Sequence, residues 1–249
     1  MRSLHRPFIT ILLSLLAMVA CVSPRPTELP TVPDTIPDGF PEERYRAFAA
    51  SGAAVYEINT ARTLVQIHAF RDGPMARFGH DHVVASRNVR GFIFVAPEEA
   101  DKSVNVEADL YAPLAAMSVD EPDLRSAAGF DTEISDSARE GTRANMLASI
   151  EAGQFPHVTL NIKAKLESRV VQNIDIVLTA TIALHGASRT LETPVRISID
   201  DQTLRAEGTL SIVQSEFGIE PYKALGGALS VRDRLDLQFM LTAERVTAD

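Results

Sequence analysis

His80 and His82 stand one residue apart at the head of an apolar run, Val83 to Val95. On an extended strand, positions i and i+2 share a face, so both imidazoles would point one way and Asp81 the other. Two imidazoles on one face can share a metal ion. They can also bond to a polar or anionic headgroup, with a charge that changes near pH ~6.5. A zinc site normally takes three or four protein ligands. His68, His157 or His185 would have to supply the third, and spacing alone does not bring any of them to the pair. Metal binding is therefore the secondary reading, no metal ligand is assigned, and no cofactor is expected. Asp81 could polarise an imidazole, but adjacent residues on a strand point apart. The chain has no Gly-x-Ser-x-Gly elbow, no phosphate-binding glycine loop and no catalytic cysteine. A hydrolase is the least favoured reading, and the chain is taken as a non-enzyme. Phe78 and Phe92 flank the histidines; Phe78, His80, His82 and Phe92 form the candidate ligand-binding set.

The elements that must position this set are strands. Val55–Ile58 and Leu64–Phe70 precede it, with Val65, Ile67 and Ala69 on one face. Val104, Val106, Ala108 and Leu110 alternate with polar residues, as a one-sided strand does. The same pattern returns in Val158–Ala164, Ile174–Leu184, Val195–Ile199, Leu204–Ile212 and Leu235–Leu241, with a turn at His185–Arg189. Residues 112–136 read as irregular. Ser137 and Glu140 have capping-box spacing, so one helix is expected from Ser137, with Met146, Leu147 and Ile150 on its apolar face and Gly153 at its end. About eight antiparallel strands protect their edges best by closing into a barrel, which leaves room for packed side chains or one small ligand.

The chain ahead of this domain has a different composition. Arg2 and Arg6 precede an apolar run, Phe8 to Ala20, that is short for a membrane span of ~20 residues and suits a signal peptide. Cys21, the one cysteine, follows directly, and Met18-Val19-Ala20-Cys21 resembles a bacterial lipobox. That resemblance implies a lipid-modified Cys21. Because Val22 is not aspartate, it also implies the outer membrane, facing the periplasm. Residues 22–41 hold six of the fourteen prolines. At ~3.1 Å per residue they could reach roughly 60 Å as an extended tether. Residues 41–50 can form a short helix. The expected organisation is residues 1–20 signal, 21–52 lipidated cysteine and tether, and 53–249 one domain. Losing Arg2 and Arg6 with the signal leaves 22 basic against 33 acidic residues, a formal charge of −11. A chain this acidic is not expected to bind nucleic acid through a basic surface.

Several segments, in order, resemble the YceI-like family of lipid- or polyisoprenoid-binding domains over nearly all of residues 54–246. They are Tyr56–Asn59, Asn88–Ile93, Leu147–Leu160, Leu184–Arg189, Ser215–Ile219 and Val231–Leu235. Thr190 departs from the proline common at that place. The resemblance implies a mainly β, lipocalin-like antiparallel barrel of about eight strands with one inserted helix. It also implies an apolar cavity for an isoprenoid-like lipid or another long-tailed amphiphile. With the N-terminal anchor, the expected setting is the bacterial envelope.

Overall fold

The computed structural model describes residues 36–168 and 170–247. The expected signal segment, Cys21 and most of the proline-rich stretch lie outside these residues. Helix α1 (Glu42–Ala50) comes first. Seven strands follow: β1 (Ala54–Ile58), β2 (Leu64–Ala69), β3 (Arg71–Asp72), β4 (His82–Ser86), β5 (Arg90–Val95), β6 (Val104–Pro113) and β7 (Ser118–Val119). Helices α2 (Pro122–Ala127) and α3 (Asp136–Ser149) separate these from β8 (His157–Leu166), β9 (Val171–Leu184), β10 (Ala187–Ile199) and β11 (Thr203–Val213). The last described elements are β12 (Lys223–Ala224), β13 (Leu229–Val231) and β14 (Arg234–Arg245).

Strands β1, β5, β6, β8, β9, β10, β11 and β14 pair antiparallel in that order, and β14 returns to β1. This is the expected closed eight-stranded barrel. Closure removes the free edges that an open sheet would present. Beyond β1, β14 continues onto β2, then β4 and β7. The run from residue 82 to 95 is thus two strands broken at 87–89. The β9–β10 turn needs only His185 and Gly186, both at positive φ (53° and 73°). Two such residues match the twist of a tight hairpin.

Every second residue faces in. Val104, Leu166, Ile199, Leu204 and Ala243, each 2 % exposed or less, close one end. Leu114, Leu147, Phe217 and Ile219, equally buried, close the other beneath α3. The latter is the capped end. Between them, Ile162, Ile176, Ala206, Leu210, Leu237 and Leu241 are only half-buried, although they point inward. An inward side chain that keeps water-accessible surface faces unfilled space, because a packed interior leaves few voids as large as a water. The middle of the barrel is therefore an apolar lumen.

Three local expectations change. Residues 112–136 are not irregular: they carry the end of β6, a 3₁₀ turn, β7 and α2. Pro122 opens α2, where a missing N–H costs nothing. Helix α3 is capped by Ser135, whose Oγ accepts from Ala138 N at 3.3 Å, and not by Ser137. It ends at Ser149, and Glu151, at φ 47°, turns the chain before Gly153 is reached. Leu147 is buried and Met146 and Ile150 pack beside it, so the apolar face is as expected. Ser135→Ala should lower stability by ~1 kcal/mol, the usual worth of such a cap, while Ser137→Ala leaves it unchanged. Urea midpoints of the two variants check this, and equal shifts would contradict it.

Candidate ligand-binding site

His82 opens β4 on the face that Val84 carries into the capped-end core. His80 and Asp81 lie in the loop before it, so the pair does not share one strand face. The imidazoles still meet, with ring centroids 5.3 Å apart. The loop is clamped by Arg71, whose N–H donates to Asp81 Oδ1 (2.9 Å) and whose guanidinium donates to Gly79 O (2.5 Å). Gly79 lies against Leu229, where an added Cβ would come within 2.9 Å of Leu229 Cδ1. Phe78 projects from this loop, 60 % exposed, beneath Arg77.

Two residues not anticipated from sequence organise the site. Asp120, fully buried just after β7, takes its proton partners from three sides. His82 Nδ1 lies 2.6 Å from Oδ2, and Val83 N–H and Arg125 donate to Oδ1 at 3.0 and 2.8 Å. Arg125, nearly as buried, also donates to Asp81 O and Thr132 O. A carboxylate only accepts, so Nδ1 of His82 donates its hydrogen to Asp120 Oδ2. Burial pushes the Asp120 pKa up, but the bonds from His82, Val83 and Arg125 outweigh it and hold it below the ordinary value. Burial, then the neighbouring His82 and Arg125, lowers the pKa of His80, so that ring is neutral at pH 7.

Phe92 does not join this group. It is buried on the outer wall, stacked on Tyr45 of α1 at 5.5 Å. The reason is the strand period: Ile93 and Val95 face in, so Phe92 and Phe94 face out, where α1 covers them. Tyr45 also donates to Asp109 (2.7 Å), and Phe48 stacks on Phe94 (4.5 Å). Phe40 and α1 thus pack against the outside of the barrel.

The other described histidines are engaged elsewhere. His185 bonds Phe217 O (3.1 Å) and pairs with Glu151. His157 lies edge-on to Tyr111, and His68 lies against Phe130 on the outer face. Among the described residues, no group of three or more His, Cys, Asp or Glu side chains is placed to hold a metal. The geometry offers instead a short polar group, His80 with His82, near the capped end of the barrel.

The model of the YceI-like domain matches residues 56–243. The chain belongs to the YceI-like family. Solved structures of low sequence identity share its fold. One is a polyisoprenoid binding domain from Saccharophagus degradans implicated in plant cell wall breakdown, with TM-score 0.53 and 13 % identity, covering 77 % of this chain and 98 % of that one. Another is BcnA of Burkholderia cenocepacia, with TM-score 0.50 and 14 % identity, covering 74 % and 98 %. No curated protein matches this chain.

Proposed function

We propose that this YceI-like protein is an envelope-anchored carrier that binds, without catalysis, an isoprenoid or another long-tailed amphiphile. The tail occupies the lumen, and the Phe78–His82 segment meets the headgroup. The observation that carries the reading is the band of half-buried apolar side chains between two closed ends. Each buried CH₂ contributes ~0.8 kcal/mol, so a long tail binds tightly with no chemistry at all. The Saccharophagus neighbour, described as polyisoprenoid-binding, supports the same ligand class. A neutral His80 can donate one hydrogen bond and accept another, which suits a hydroxyl or carbonyl headgroup better than a phosphate. The anchor reading rests on Cys21 and its lipobox-like context, and Val22, not being aspartate, supports an outer-membrane setting facing the periplasm.

Protein purified from its own envelope tests both halves. Lipid extraction and mass spectrometry should return about one long-tailed lipid per chain, the capacity of an eight-stranded barrel. The N-terminal peptide should begin at a diacylglycerol-modified Cys21. Protein free of lipid refutes the carrier, and an unmodified Cys21 refutes the anchor.

A further inference from the structure

Strands β8 and β9 form a hairpin of ten and fourteen residues, yet they pair only where Thr159–Lys163 meets Thr179–Ala183. Each strand is held on its other side much further. β8 follows β6 down to Leu166, and β9 follows β10 down to Val171. Between them, Ala164–Leu166 and Val171–Leu178 have no partner in the other strand. A bulge accounts for the divergence. The β9–β10 register shifts between Ile197 and Ile199, and Asn173 sits at φ 49° with its N–H bonded to Ser198 Oγ. An extra residue bends the bulged strand. Here it ties β9 to β10.

The resulting seam is apolar on its inner side, while Lys165 and Asp175 flank Val177 on the outer one. Ala164, Ile174, Ile176 and Leu178 line it from inside, all half-buried. Val177, on its outer side, and Val170, at the hairpin end, are 64 % and 53 % exposed. Both ends of the barrel are closed by buried side chains, whereas here two neighbouring strands of the wall are unpaired. We propose that the β8–β9 seam is the lateral port through which a lipid tail enters and leaves the lumen. The proposal rests on the carrier reading, and its occupant is a single alkyl or isoprenoid tail.

The chain's single native cysteine makes a clean crosslinking test possible. In the full chain with Cys21→Ser, Lys165→Cys and Val177→Cys place thiols opposite each other if the pairing is extended by two residues. Dansyl-labelled geranylgeraniol, followed by its fluorescence, is the probe. Reduced protein should take it up as the unaltered chain does. Oxidised protein should do so at least about tenfold more slowly, a barrier increase of ~1.4 kcal/mol, with reductant restoring the rate. Equal rates in both states overturn the port while leaving the carrier standing. No uptake by the reduced or the unaltered chain overturns the carrier and the port with it. Hydrogen exchange decides the matter even if the thiols never join. Amides unpaired between 164–166 and 174–178 should exchange faster than those of 179–183 and gain protection on loading. Uniform protection in the empty protein, or protection that grows with protein concentration without probe, overturns the port: the first means a zipped hairpin, the second a partner chain on these edges.

Discussion

Asp120→Ala is expected to destabilise the protein by about 3–5 kcal/mol, the range for removing one partner of a buried ion pair. The change leaves Arg125, 5 % exposed, with no carboxylate, and frees Val83 N–H and the His82 ring. Asp120 also sits at φ 54°, a region alanine tolerates poorly. Asp120→Asn separates the backbone effect, since asparagine accepts that φ while losing the charge and turning one acceptor oxygen into an NH2 donor. The pH dependence has a definite sign. The folded-state pKa of Asp120 is depressed below the ordinary 3.8, so the unfolded chain takes up its proton at higher pH than the folded one. The contribution is complete above the unfolded value and disappears as pH falls through the folded one. Urea unfolding from pH 7 to pH 3 should show unaltered protein losing stability in acid more steeply than either variant. A loss under 1 kcal/mol in Asp120→Ala at pH 7 would remove the network from its structural role.

Ala206→Trp should abolish lipid carriage while leaving the fold intact. Ala206 is small, inward-facing and half-buried, between Ile197 and Leu241 on the flanking strands. In a lumen with free space, the indole takes the room of the tail. Excluding one five-carbon isoprene unit removes ~4 kcal/mol of burial, roughly a thousandfold in affinity. In a barrel already filled by its own side chains, the same change would overpack the core and cost ~1–3 kcal/mol or more. Bound lipid per chain and the thermal midpoint, measured together, separate the cases. A large drop in midpoint with lipid still bound would show that the tail lies elsewhere.

Period-two alternation made the wall of the barrel legible, because Val158–Ala164 or Leu204–Ile212 can form a half-buried strand and little else. Where both faces are apolar the signal fails. Gly91-Phe92-Ile93-Phe94-Val95 does not say which side is the lumen, and the helix that covers Phe92 lies over forty residues earlier in the chain. His80 and His82 stood out by type, but their organisers did not. Asp120 and Arg125 reach His82 only through tertiary contact, 38 and 43 residues away in sequence. Pro122, at a position that favours helix starts, was the one local sign of α2 and hence of Arg125. The β8–β9 seam has no local sign beyond the turn-prone Asn173, since its cause is a bulge in pairing with a third strand.

The closing strand has a consequence for the order of events in folding. β14 is the last of the described elements, and β1, β2 and β11 all pair with it; for β1 the partners lie more than 180 residues apart, as in Ile58↔Ala243. Loop-closure entropy must be met before such distant contacts form, which slows folding. During synthesis, β1 and β2 emerge early and stay without this partner until residues 234–245 appear. The barrel can close only once β14 is present, so a product truncated before Arg234 keeps open edges on β1, β2 and β11 together, the state most exposed to proteolysis and aggregation.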